Sequence, residues 1–106
     1  MGRKKHLVQL EEFKNKIQEV IPVERMILFG SRAKGRARRW SDFDLLLVSS
    51  SFRKKRFRER SLKLYDYWKL DYPVDFLCYT PEEFKKLSKQ ITIVRQAVKE
   101  GIEIAG

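Results

Sequence analysis

The sequence predicts an α/β chain in which helices pack on a small sheet, and three observations carry that reading. Short apolar runs, "MILF" at 26–29 and "LLLV" at 45–48, are too brief and too continuous for amphipathic helices and read as buried strands. Segments with apolar residues at steps of three and four alternate with them along the chain. Turn and cap residues separate the two kinds of segment, giving the order αβαβαβαα. At 106 residues the chain fits one domain, residues 1–106, with no internal repeat and no Pro/Gly/Ser linker.

Each element has its own signal. Leu7, Leu10, Phe13, Ile17, Val20 and Ile21 predict a helix over 6–20, stopped by Pro22. Met26–Phe29 closes at Gly30 as a central strand. "SRAKGRA" has the makings of a short helix broken near Gly35, and "DFDLLLVSS" of a second buried strand. Phe57, Leu64, Tyr65 and Trp68 lie near helical spacing among many charges, predicting a helix over 53–69 with Phe57 on its core face. "YPVDFLCYT" is rich in β-formers and reads as a third strand with Pro73 near its start. Thr80-Pro81-Glu82-Glu83 is a helix start, with a capping hydroxyl, proline in the first turn and acids beside it, so a helix covers 81–89. Another covers 92–100, with Gly101 as its C-cap. "IEIAG" is too short to assign.

Composition narrows the function classes. No stretch approaches the ~20 apolar residues of a membrane helix. "MGRKKH" lacks the apolar region of a signal peptide, and His6 stands where a myristoylation motif wants Ser or Thr. A soluble, cytoplasmic protein is expected. The single cysteine, Cys78, sits in an apolar run and reads as a small core residue. Lys and Arg number 24 against 14 Asp and Glu, a net charge of +10. That excess favours an anionic partner such as nucleic acid, nucleotide phosphate or an acidic protein surface, although a solvated, salt-bridged surface has the same composition. His6 stands alone and reads as a surface residue, and Trp40, Tyr65 and Trp68 as core or interface. "RKKRFRER" at 53–60 reads as a solvated face or an acidic-partner surface, and Asp66 and Asp71 as surface acids.

The chemistry concentrates in "GSRAKGRARRWSDFDLLLV", residues 30–48. Side chains alternate along a strand, so Asp42 and Asp44 share a face with Cβ atoms roughly 6–7 Å apart. Two like charges at that range repel unless a cation sits between them, and Mg²⁺ takes such oxygen ligands. The plainer alternative is that Asp42 merely starts the strand while Asp44 pairs with an arginine. Asp75 shifts the balance: an aspartate between Val74 and Phe76 is costly unless paired or coordinated. If its strand lies beside the others, three carboxylates can hold the metal ions of a phosphoryl transfer, or Asp75 can serve as general base. Gly30-Ser31 after a strand is by itself a turn. It can also seat a phosphate, because glycine permits close backbone approach and Ser31 Oγ can donate. Neither a Walker A loop nor a dinucleotide fingerprint is present.

Together, "LFGSRAKGRARRWSDFDLLLV" and "VDFL" resemble the minimal nucleotidyltransferases of the DNA-polymerase-β-like superfamily. Gly30-Ser31, ten residues and Asp42-Phe43-Asp44 before an apolar strand repeat that pattern, and the likeness covers about residues 10–104. The resemblance implies a mixed sheet flanked by helices. It implies that Gly30, Ser31 and the adjoining Arg32 bind the nucleotide, that Asp42 and Asp44 bind Mg²⁺, and that Asp75 is the third catalytic and metal-binding carboxylate. It further implies transfer of AMP from ATP to a hydroxyl, and, for small members, pairing with a HEPN-domain toxin whose tyrosine is modified by this antitoxin partner. A hetero-oligomer or homodimer would then supply the acceptor specificity that a short chain lacks. Two other readings stand beside it: the same chemistry on a small molecule or RNA end, and a non-catalytic basic module binding nucleic acid. Arg32, Lys34, Arg36, Arg38 and Arg39 surround the site either as phosphate or partner contacts or as a solvated loop.

Overall fold

The computed structural model describes residues 2–38 and 41–105; Arg39 and Trp40, and the roles considered for them, lie outside that range. Its elements are α1 (Gly2–Ile17), β1 (Arg25–Phe29), β2 (Phe43–Val48), α2 (Leu62–Tyr67), β3 (Val74–Tyr79), α3 (Pro81–Ser88), α4 (Ile93–Glu100) and β4 (Ile102–Glu103). The sheet order is β3-β2-β1-β4. β1 is antiparallel to β2 and β4, whereas β2 and β3 are parallel, so the sheet is mixed. This is the expected architecture, an α+β sheet flanked by helices.

Strand alternation divides the core in two. Phe43, Leu45 and Leu47 of β2 face α1 together with Phe76 and Cys78 of β3, and Leu10, Phe13 and Ile17 of α1 close over them. Leu46 and Val48 point the other way, with Ile27 and Phe29 of β1, and are covered by Phe84 of α3 and Val94 and Ala97 of α4. β2 is thus buried on both faces, which is why its sequence runs apolar without a break. Asp44 and Asp75 fall on the α3–α4 face but lie beyond its apolar cluster.

Several elements differ from the sequence expectation. α1 ends at Ile17, five residues before Pro22. Gln18 then closes the loop, donating from Nε2 to the Val23 carbonyl at 2.7 Å while its Oε1 accepts from the Val23 N–H at 2.9 Å; Val20 is left exposed. Instead of a helix over 53–69 there are two 3-10 turns, Ser50–Lys54 and Phe57–Glu59, before α2. Crowded cations disfavour a continuous helix there, and two anchors break it. Phe52 is fully buried, and Arg60, also buried, donates to the carbonyls of Lys55 and Cys78 and to the Glu83 carboxylate. Phe57 is 50% exposed rather than in the core. The unassigned "IEIAG" supplies β4, and Lys14 ties it to α1 by donating to the Ile104 carbonyl at 2.8 Å.

The helix start at Thr80 forms as read. Thr80 Oγ1 accepts from the Glu83 N–H, Glu83 accepts from the Thr80 N–H, and Pro81 opens the helix. Gly101 does end α4, but with extended backbone at φ −81°. Glycine is needed there for space, because a Cβ would lie 2.5 Å from Ile27 Cγ2 and 2.8 Å from the Leu28 carbonyl oxygen.

Candidate active site

The site forms where β1 ends and β2 begins. In the parallel β2–β3 ladder Asp44 is the direct partner of Asp75, and in the antiparallel β1–β2 ladder it is opposite Phe29. Parallel partners put their side chains on one face, so residues thirty-one positions apart share the uncovered end of the sheet. Asp42 precedes β2, which begins at Phe43, so it stands just outside the strand rather than within it. Its charge still reaches Asp44. The Asp44 carboxyl is pushed above its ordinary value by partial burial first, then by Asp75 and then by Asp42.

No ion pair among the described residues relieves that crowding. Among the described residues the ion pairs join Arg25 to Glu103, Lys34 to Glu100, Arg53 to Glu82 and Arg60 to Glu83; none involves Asp42, Asp44 or Asp75. Among the described residues, then, no ion pair joins Asp44 to an arginine. Nor are three acidic, histidine or cysteine side chains among the described residues drawn together tightly enough to enclose a metal ion by themselves.

Gly30 turns the chain out of β1 with φ +76°. A Cβ at this position would lie 2.4 Å from Asp44 Oδ2, so glycine is demanded both by the left-handed backbone and by the carboxylate beside it. The following segment is a hydrogen-bonded turn rather than a helix. The Gly30 carbonyl accepts from the N–H groups of Ala33 and Lys34, the Ser31 carbonyl from Arg36, and Gly35 reverses the chain with φ +71°. Ser31 is half-buried beside Gly30.

Arg32, which the resemblance assigns to nucleotide binding, is held by the protein itself. It is only 9% exposed, its Nε donates to the Ser41 carbonyl at 2.9 Å, and its guanidinium lies over the rings of Phe43 and Tyr72 at 4.3 and 4.6 Å. It fastens the loop between Gly30 and Asp42 to the start of β2. His6 is not an isolated surface residue either. It is half-buried, edge-on to Phe43 and Tyr72, and burial with the nearby charges of Arg32 and Lys5 holds its imidazole below its usual value. Trp68 joins the same cluster against Phe13, Phe43 and Phe76, and Tyr65 rests on Phe76. Cys78 is buried as expected, with its thiol pushed up to about 12. Asp66, Asp71, Arg36 and Arg38 are exposed.

A cleft of about 250 Å³ opens beside Gly30 and Asp44 and is walled by Lys34, Ile93, Gln96 and Glu100. The sequence pointed to Lys34 through its place in the basic loop but not to the α4 residues. The one sign available was the spacing of Ile93, Gln96 and Glu100, which puts them on one helix face without saying what that face meets.

A glycine turn against a half-buried carboxylate, with a second carboxylate in register on the next strand, is the arrangement of a nucleotide-transferring enzyme, and the chain belongs to that class. The family described as "Nucleotidyltransferase domain" matches residues 10–100, and the chain is a nucleotidyltransferase. Among individual relatives it is 29% identical over 97 residues to the probable protein adenylyltransferase MntA of Haemophilus influenzae, covering 90% of this chain and 85% of that one. A solved structure from Sulfolobus solfataricus, assigned to the nucleotidyltransferases, superposes with a TM-score of 0.68 at 20% identity over 95% of this chain and 80% of the other, and shares the fold. A chain of a toxin–antitoxin complex solved with AMP-PNP superposes with a TM-score of 0.58 at 26% identity, covering 91% and 73%. No helix among the described residues is long and apolar enough to cross a membrane.

Proposed function

We propose that this chain transfers the AMP moiety of ATP to a hydroxyl of a protein partner, a tyrosine of a HEPN-domain toxin, and so acts as the antitoxin of a cytoplasmic pair. The observation that carries the reading is the register of Asp44 with Asp75 beside Gly30. The likeness to MntA and to a toxin–antitoxin chain supports the protein acceptor.

Asp42, Asp44 and Asp75 offer hard oxygen donors that would hold a divalent cation such as Mg²⁺, which would relieve their mutual repulsion. When bound, Mg²⁺ neutralises charge on the phosphates. The chain's own residues do the rest. Gly30 lets the backbone approach the triphosphate, Ser31 Oγ donates to a phosphate oxygen, and Arg32 holds the loop that carries them. Asp75, exposed at the edge strand, accepts the proton of the incoming hydroxyl as its oxygen bonds to the α-phosphorus and pyrophosphate departs. Such a reaction needs positioning and charge neutralisation above all, which a small scaffold can provide.

A purely nucleic-acid-binding role is disfavoured, because a basic binder gains nothing from acids held in register. The test is incubation with ATP labelled at the α-phosphate, Mg²⁺ and a candidate HEPN partner. Label is expected on the partner's tyrosine and absent with Asp42→Asn or Asp44→Asn. Variants that label the partner as well as the unaltered chain would overturn the assignment.

A further inference from the structure

The cleft beside Gly30 and Asp44 contains an acid where a polyphosphate is expected. Lys34 Nζ lies 3.2 Å from Glu100 Oε2, and Gln96 Nε2 donates to the same oxygen at 3.0 Å. All three line the cleft with Gly30 and Asp44. The two contacts hold the Glu100 carboxyl below its ordinary value, so it stays charged. It is also the last residue of α4, where the helix dipole adds negative potential of its own.

The fold fixes this charge in position. Gly101, the next residue, packs so closely on Ile27 and the Leu28 carbonyl that not even a methyl group fits. Those residues belong to β1, which runs directly into Gly30. The α4 terminus therefore cannot back away from the cleft, and only the Glu100 side chain can turn aside.

We propose that Glu100 is a counter-ion restraint on nucleotide entry: it holds Lys34 in an ion pair that the polyphosphate tail of the incoming nucleotide must exchange for its own. The inference rests on the nucleotide-transfer reading above and adds a regulating residue to it. An acid that competes for the lysine lowers the affinity of an anionic ligand and discriminates against ligands too weakly charged to displace it. Lys34 and Glu100 are each partly exposed, so the restraint is mild, and its removal changes affinity about 2–5-fold, the range of exposed ion pairs. Glu100 acts through Lys34, so it is a positioning residue, and its effect belongs to KM for ATP rather than to kcat.

The test is calorimetric titration of the folded chain with Mg²⁺–ATP and, separately, with inorganic tripolyphosphate, for the unaltered protein, Glu100→Gln, Lys34→Met and the double variant. Glu100→Gln is expected to bind both probes about 2–5-fold more tightly and to lower KM for ATP in transfer assays. Lys34→Met is expected to weaken binding, and in its background Glu100→Gln is expected to bring no gain. Unchanged affinity in Glu100→Gln, or an equal gain with and without Lys34, overturns the restraint while leaving the nucleotide reading intact. An unaltered chain that is folded by circular dichroism yet binds neither probe overturns the nucleotide reading and the restraint with it.

Discussion

Asp44 and Gly30 form one unit, because the carboxylate occupies the space that any other residue at position 30 would fill. Gly30→Ala forces a Cβ against Asp44 Oδ2 and a non-glycine residue into left-handed backbone, a strain of about 1–2 kcal/mol before the carboxylate is displaced. Both a lower Tm and the loss of most transferase activity are expected, measured by thermal unfolding and label transfer. Asp44→Asn should separate stability from function. The Asp44 carboxyl is raised above its ordinary 3.8, so the folded state favours its protonated form. The native protein is relatively more stable below that pH and loses that margin as pH rises through the folded-state value. Asp44→Asn without divalent cation is therefore expected to have a higher Tm than the unaltered chain at pH 7, with the gap closing below about pH 4. Its transferase activity should fall about 100-fold or more, the scale on which one preorganised electrostatic group acts. A Tm at pH 7 below that of the unaltered chain would contradict this account.

At the scale of elements, legibility followed the range of the forces involved. The Thr80 capping box, the twice-buried β2 and the glycine after β1 are local, and neighbouring residues announce them. Thr80→Ala is expected to lower stability by about 1 kcal/mol, read as a shift in denaturant midpoint with unchanged m-value. The helix expected over 53–69 does not form as one piece because the structure there is set by distant partners. Phe52 drops into the core, and Arg60 reaches Cys78 and Glu83, respectively 18 and 23 residues on. No helical periodicity forecasts such contacts, and the apparent spacing of Phe57 was accidental. β4 escaped notice for a similar reason. Two residues carry no pattern, and the strand exists because β1 offers it a ladder.

At the scale of the whole molecule, the charge balance is strongly basic. Asp42, Asp44 and Asp75 gather at one uncovered end of the sheet within a chain of net charge +10. A divalent cation binding to that end would stabilise the native state by mass action. Mg²⁺ is therefore expected to raise the Tm of the unaltered chain and leave that of Asp44→Asn nearly unchanged; equal shifts in both would place the cation elsewhere. The surplus positive charge should steer an acidic partner, so the association rate is expected to fall steeply between low and physiological ionic strength while dissociation changes little. Stopped-flow mixing over a salt series measures this.

By itself the sequence carried the types of α1, β1, β2, β3, α3 and α4, the glycine-serine turn, the acids at the start of β2 and the further acid within β3. Those are matters of backbone preference, cap chemistry and spacing, which operate within a few residues. Only the tertiary structure decided that β3 lies parallel to β2 in the register joining Asp75 to Asp44. The same is true of Arg32, turned inward to hold its loop, and of α4, which brings Glu100 to the cleft. Ladder register and helix docking are set by burying two faces of one sheet at once, a condition that no short stretch of chain contains.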